Sequence, residues 1–257
     1  MSSIDTRLDT KTRQRLFFDM IDNSGMTIDS TTRQELLNDM EEYHKELTKK
    51  IPCKSTNRVK LLEKQWYDAL PIPDYSVYSH ENYFIDVFLC WIMYSRKYIK
   101  NMRTLDIFDN LDTIVDLGCG PGFTTKALNE VFKPKRTVGT NIKRSCIGSG
   151  ITWQWTHAKN IGIDVVTDIK EIDTQIDLVV AFEYFEHIED PLTHLTDILS
   201  TNPKMLAVRN GWTGMAIGHF FDKGDNMENK FKSVMNEHGY TSTKHFFNNE
   251  PKIWKRV

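Results

Sequence analysis

Residues 114–123 read IVDLGCGPGF. A strand-like apolar run ends in Asp116, glycines follow at 118, 120 and 122, and TTKALNEVF then takes up helical spacing. Glycine permits positive φ angles and a close backbone approach, and the first turn of a helix offers free N–H groups. A glycine-rich strand-to-helix turn is therefore a place where a ligand can lie. A strand before the glycines and a helix after them give such a match its weight.

Working outward from this turn, short apolar runs alternate with helical patterns through the C-terminal half. TIVDLG, RTVGTN, GIDVVTDI, QIDLVVAF and MLAVRN read as strands. Near-continuous Ile, Val and Leu runs suit parallel strands covered on both faces, so the expectation is a doubly wound α/β sheet. The tail NKFKSVMNEHGYTSTKHFFNNEPKIWKRV reads as a helix stopped at Gly239, a strand, a turn at NNEP and a last strand, which adds a hairpin to the sheet.

The first 110 residues read as helical. Leu36, Leu37, Met40 and Leu47 recur at helical spacing, and STNRVKLLEKQWYDAL is stopped by PIPDY, since proline cannot continue a helix. SHENYFIDVFLCWIMYSRKYIKNM makes one further long helix, and its apolar run is too short, and too broken by Asp86, for a membrane span. The expected division is a helical cap over residues 1–110 and an α/β domain over 111–257. Tyr75, Tyr78 and Tyr83 of the cap are candidates for contact with a substrate, or for holding cap to sheet.

Composition narrows the function classes. The 257 residues carry a formal net charge of −2, which gives no global field of the kind that gathers nucleic acid. The local exception is the basic segment from Lys49 through Lys64, which reads as a solvated helix face. Four widely separated cysteines without a CxxC pair, and a start with no apolar leader core, lead to the expectation of a reducing, cytoplasmic setting without zinc ribbons.

The second informative stretch is FEYFEHIEDP, residues 182–191, which leaves the fourth strand of the α/β region. Ligands in open α/β sheets bind beyond the carboxyl ends of the strands. If the chain turns helically at once, positions i, i+3 and i+4 share a face, and that face holds Glu183, Glu186 and His187. Arg209 and Asn210 stand at the end of the fifth strand. His194 reads as an exposed helix residue, and Trp153 and His157 as packing or as flanks of a ligand.

The spacing G-x-G-x-G, with Asp116 two residues before the first glycine, resembles motif I of the class I S-adenosylmethionine-dependent methyltransferases. The resemblance runs from about residue 112 to the end of the sequence and implies a Rossmann-like sheet of seven strands with the last hairpin antiparallel. It implies that Asp116, Gly118, Cys119, Gly120 and Gly122 hold the methionine part of S-adenosylmethionine. The family carries an acidic residue after the second strand for the ribose, where this sequence has Asn141 followed by Ile142, so the ribose contact lacks charge assistance. Asp168 and Ile169 match the adenine positions after the third strand, and Phe182 closes the fourth. A bulkier side chain at Gly118 or Gly120 is expected to intrude on the ligand's volume.

The E-x-x-E-H arrangement resembles two groups of that family, the ubiquinone-biosynthesis O-methyltransferases and the Hen-type RNA 2′-O-methyltransferases. In both, a later histidine completes a divalent-metal site, and His219 in GMAIGHFFD is the candidate here. The resemblance thus implies that Glu183, Glu186, His187 and His219 hold a divalent metal ion that activates the acceptor hydroxyl. The alternative is metal-free, with Glu186 capping a helix and His187 acting alone. The expected activity is methyl transfer to a hydroxyl, or an amine, of a small molecule. Two rivals stand beside it, a Hen-like RNA methyltransferase and a noncatalytic binding module that keeps the sheet. The absence of NPPY-type and DPPY-type tetrapeptides and of a Pro-Cys nucleophile argues against a DNA base as acceptor.

Overall fold

A computed structural model describes residues 98–142, 158–212, 226–243 and 251–257 continuously. It also describes the helix at 59–70, residues 72 and 73, and individual positions among residues 10–45 and at 155, 216 and 218–220. Two compact units divide the chain: Met1–Met93 with Arg144–Trp153, and Tyr94–Lys143 with Gln154–Val257.

In the first unit the described positions between 30 and 45 are helical, with Leu37 and Met40 buried three residues apart as one face of a helix requires. Helix α1, Val59–Ala69, buries Trp66 completely and ends two residues before Pro71. Lys64 pairs with Asp68 one turn on, so part of the basic segment is neutralised within its own helix. Lys49, Lys50, Lys54 and Arg58, together with Tyr75, Tyr78, Tyr83, Trp153 and His157, lie outside the described residues.

The second unit is built on a seven-stranded sheet in the order β3-β2-β1-β4-β5-β7-β6. Its strands are β1 (Thr113–Asp116), β2 (Arg136–Thr140), β3 (Asp164–Val166), β4 (Leu178–Phe182), β5 (Met205–Arg209), β6 (Tyr240–Ser242) and β7 (Lys252–Arg256). The first five are mutually parallel, while β7 runs antiparallel to both β5 and β6. This is the doubly wound sheet with an antiparallel terminal hairpin. The strand order reverses between β1 and β4, and the crevice outside the carboxyl ends of those two strands is where such sheets bind ligands.

Burial explains why the runs are continuous rather than alternating. All four residues of β1 and all five of β4 are buried, so each strand is covered on both faces. On one face Val179, Ala181, Leu206 and Val208 pack with Leu195 and Ile198 of helix α3 (Pro191–Ser200) and with Phe231 and Met235 of helix α4 (Met227–Glu237). Leu178 and Val180, one residue out of phase, are fully buried on the opposite face. Helix α2, Phe123–Phe132, follows the glycine turn and ends with Lys133 in the left-handed region just before Pro134. Among the described residues no helix is long and apolar enough to cross a membrane.

Candidate functional site

The glycine turn is held by the strands beside it. Leu117 N–H donates to Val180 O at 2.8 Å, Cys119 N–H to Thr140 O at 2.8 Å and Gly118 N–H to Thr140 Oγ1 at 3.3 Å. Gly118, Gly120 and Gly122 all have positive φ, at 67°, 52° and 91°. Gly118 has a further reason to lack a side chain: a Cβ there would fall 2.6 Å from Cδ2 of Tyr184. The volume that a bulkier residue would invade is therefore first the Tyr184 ring, not open ligand space. At Gly122, which caps α2 in the left-handed region, a Cβ would crowd Ala158 and Ile163 at 3.1–3.3 Å. Cys119 is buried behind the turn, against the bare Cα of Gly139.

Asp116 is 3 % exposed and accepts a hydrogen bond from Thr125 Oγ1 at 2.7 Å. Burial pushes its carboxyl up to about 7, against a smaller downward pull from that hydroxyl. Thr124 Oγ1, in the first turn of α2, is buried and has no hydrogen-bond partner among the described residues. An orphaned hydroxyl beside three left-handed glycines fits a polar ligand seated on the turn.

Asn141 follows β2, where the ribose contact is expected. Its side-chain nitrogen donates to Gly120 O at 3.3 Å and its oxygen accepts from Ile142 N–H at 2.9 Å, so the amide ties β2 to the glycine turn. Aspartate could not make the first of these bonds. Ile142 beside it is 43 % exposed, an open apolar surface. Asp168 is exposed and caps the 3-10 turn Ile169–Glu171, with its side chain accepting from Lys170 N–H and Glu171 reaching back to Asp168 N–H. Ile169 is buried in the core cluster. Phe182, the last residue of β4, stacks edge-on with Tyr98 at 5.4 Å.

Beyond Phe182 the chain does not enter a helix directly. Glu183 sits in the left-handed region at φ 47° with its N–H bound to Arg209 O at 2.6 Å, and only Phe185–His187 form a 3-10 turn. Glu183 and Glu186 do come together, against Gly211: a Cβ there would lie 2.8 Å from Glu183 Oε2 and 3.3 Å from Glu186 Oε1. Glu186 is fully buried and accepts from Gly211 N–H at 2.6 Å. With its amide turned to satisfy both partners, Asn210 donates to Glu186 Oε2 at 3.3 Å and to Arg209 O at 3.2 Å. Arg209 Nη1 stands 3.5 Å from Glu183 Oε1. Burial, then the hydrogen bond and like charge of Glu183, hold the Glu186 carboxyl well above the ordinary range. The raised Glu186 carboxyl makes this pair a place where a proton can be held.

His187 and His219 form a separate pair, with ring centroids 4.8 Å apart and planes nearly perpendicular. The His187 ring keeps some exposure, yet the dense protein around it, and then the charge of His219, push its pKa down to about 3. This geometry gives no support to the expectation of one four-ligand metal site. Among the described residues, which include all four candidates, no group of three or more His, Cys, Asp or Glu side chains is placed to hold a metal ion. The left-handed Glu183 and the 3-10 turn break the α-helical i, i+3, i+4 face, so the carboxylates turn to Gly211 while the imidazoles face each other.

His194, expected on an exposed face, is half-buried and lies 2.9 Å from Tyr184 Oη through Nε2. It positions the ring that covers Gly118. Two residues that sequence reasoning missed thus organise the site: Tyr184 over the glycine turn and Gly211 under the carboxyl pair. The G-W pair directly after Asn210 at a strand end was the available signal, because glycine there marks a close approach.

Residues 93–223, half of the chain, match the family model of the methyltransferase domain. No curated protein matches the sequence. Among solved structures, the chain is similar to magnesium protoporphyrin IX methyltransferase of Synechocystis PCC 6803 with bound S-adenosylhomocysteine (TM-score 0.49, 11 % identity, 78 % of this chain and 96 % of that one). It is also similar to the CurJ carbon methyltransferase (TM-score 0.48, 12 % identity, 98 % and 82 %) and to the methyltransferase domain of a bacterial Hen1 (TM-score 0.42, 16 % identity, 61 % and 93 %). With the glycine turn opening α2, the strand order set by the sheet and the family model covering the turn and strands β1 to β5, the chain belongs to the class I S-adenosylmethionine-dependent methyltransferases.

Proposed function

We infer that the protein transfers the methyl group of S-adenosylmethionine to a hydroxyl oxygen, or an amine nitrogen, of a small molecule, with Glu183 as the base. The observation that carries this reading is the Glu183–Glu186 carboxyl pair at the carboxyl end of β4, one residue either side of the Tyr184–Phe185 step that covers Gly118. When bound, the cofactor supplies an electrophilic methyl on a sulfonium centre. The turn from Gly118 to Gly122, with Asp116, Asn141 and Ile142, would hold it, and Asp168 stands at the adenine position.

The chain's own residues prepare the acceptor. Burial and the neighbouring Glu183 hold the Glu186 carboxyl above its ordinary range, and Arg209 flanks Glu183 from its other side. Glu183 takes the acceptor's proton as the oxygen or nitrogen attacks, and the pair spreads the charge. Residues 1–110 form the cap that selects the acceptor in this reading, and residues 111–257 the transferring domain.

The test is calorimetry with S-adenosylhomocysteine combined with an assay of its release from S-adenosylmethionine over a panel of hydroxylated and amino small molecules. Glu183→Gln is expected to lower turnover by about 10²–10⁴-fold while leaving S-adenosylhomocysteine affinity within a factor of two. Wild-type protein that binds no S-adenosylhomocysteine, or a Glu183→Gln variant with full turnover, overturns the assignment.

A further inference from the structure

We propose that the cavity between α4 and strands β5 and β7 is the anchoring site of the methyl acceptor and takes a single-ring aromatic acid. This rests on the reading of the carboxyl pair as the reacting end of the site. The cavity has a volume of about 220 Å³. An engineered cavity of about 150 Å³ holds benzene, and drug-sized ligands need roughly 300–1,000 Å³, so the occupant is one ring with a small polar group.

The walls specify its chemistry. Trp212, Phe231 and Trp254 line the cavity, with the Trp212 and Phe231 rings 6.0 Å apart at 54°. The sheet register sets the depth: Trp254 lies opposite Leu206 and Lys252 opposite Val208, so the two side chains share a face of β7 two residues apart. Trp254 is 3 % exposed and forms the floor, while Lys252 is half-exposed at the mouth.

The polar lining is cationic in excess. Lys232 and Lys252 share a single carboxylate, Glu228, whose Oε1 takes Lys232 at 3.1 Å and Lys252 as well, while Arg209 is paired with Glu183. Two ammonium groups on one carboxylate leave a positive charge for an incoming anion. Arg209 Nε is buried with no hydrogen-bond partner among the described residues, which leaves one donor of the lining unused.

Arg209 and Asn210 line the cavity and also touch Glu183 and Glu186. A ring held among the aromatic side chains, its carboxylate on the lysines, therefore presents a ring substituent toward the carboxyl pair. A hydroxyl or amino substituent attacks the sulfonium methyl. A new C–O or C–N bond forms, the C–S bond breaks with its electron pair going to sulfur, and the acceptor's proton passes to Glu183.

The experiment uses the full chain. Benzoate, benzamide as its neutral counterpart, and S-adenosylhomocysteine are titrated calorimetrically into the wild type and a Lys232→Ala/Lys252→Ala variant. The three monohydroxybenzoates and the three aminobenzoates are then assayed as acceptors with S-adenosylmethionine. Benzoate is expected to bind saturably to the wild type, at least tenfold tighter than benzamide, and to lose at least tenfold in the variant. S-adenosylhomocysteine affinity should not move, and at least one substituted benzoate should be methylated. No benzoate binding, or binding that the variant leaves intact, overturns the cavity assignment while S-adenosylhomocysteine binding keeps the methyltransferase reading standing. Benzoate binding without methylation of any of the six overturns the acceptor role. Loss of S-adenosylhomocysteine binding by the wild type instead indicts the reading beneath.

Discussion

Gly118 is fixed by two independent demands. Its φ of 67° costs an L-residue about 1–2 kcal/mol, and the missing Cβ is the floor on which Tyr184 lies. Tyr184 cannot easily yield, because His194 holds its hydroxyl and Phe185 packs edge-on against its ring at 5.3 Å. Gly118→Ala is expected to retain the far-ultraviolet circular dichroism of the wild type, to melt lower, and to bind S-adenosylhomocysteine at least tenfold more weakly. Adding Tyr184→Ala in the same chain should restore part of the thermal stability by giving the methyl group room. A Gly118→Ala protein with wild-type affinity would show that the turn is not where the cofactor lies.

The residue scale is also where the sequence was least legible. Glu183, Glu186 and His187 were visible as a cluster, but their grouping depended on a local conformation that the letters do not encode. A glutamate in the left-handed region has no sequence signature; it is imposed by Arg209 O accepting its N–H from the next strand. Asn141 was visible as a departure from the family. Its tie to Gly120 O depends on a contact across 21 residues of sequence and could be found only in three dimensions.

At the scale of elements, the segment from Glu183 to Ser200 works as a bracket. Asp190 accepts from Thr193 N–H and Pro191 occupies the first turn, so α3 starts abruptly. That abrupt start fixes the 3-10 turn before it. Phe185, inside that turn, is fully buried and stacks edge-on with Phe231 of α4 at 4.9 Å. Phe185→Ala is expected to cost about 3–5 kcal/mol in chemical denaturation. A loss under 1 kcal/mol would mean that the turn packs independently of α4. Elements were the most legible level of the chain. The strand runs, the α2 start, the Gly239 stop and the terminal hairpin follow from apolar periodicity and glycine placement, which are local quantities. The register of β7, and with it the cavity, follows from pairing between distant segments.

For the molecule as a whole, titratable groups with shifted pKa values set opposing pH dependences, Asp116 and Glu186 in one sense and His187 in the other. The Asp116 pKa rises from an ordinary 3.8 to about 7, so between those values the folded chain holds a proton that the unfolded chain has released. Its contribution is fully present below about pH 4 and is lost as the pH climbs through 7, at about 1.4 kcal/mol per pH unit in between. His187, held neutral down to about 3 rather than 6.5, contributes in the opposite sense, its share being lost as pH falls through that window. The wild-type profile mixes these contributions, and the difference between wild type and Asp116→Asn isolates the aspartate. That difference, read from urea midpoints between pH 4.5 and 7.5, should change by about 1 kcal/mol or more per pH unit and level off above pH 7.5. A constant difference would place the carboxyl in an ordinary solvated state.

The sheet order carries one more implication. β7 is threaded between β5 and β6 although it follows both in the chain. During synthesis, β5 must wait with one hydrogen-bonding flank bare until residues 252–256 arrive, and a bare flank of that kind recruits strands from other molecules. A ribosome that stalls before Lys252 would release a polypeptide with most of the domain made and its stickiest margin uncovered.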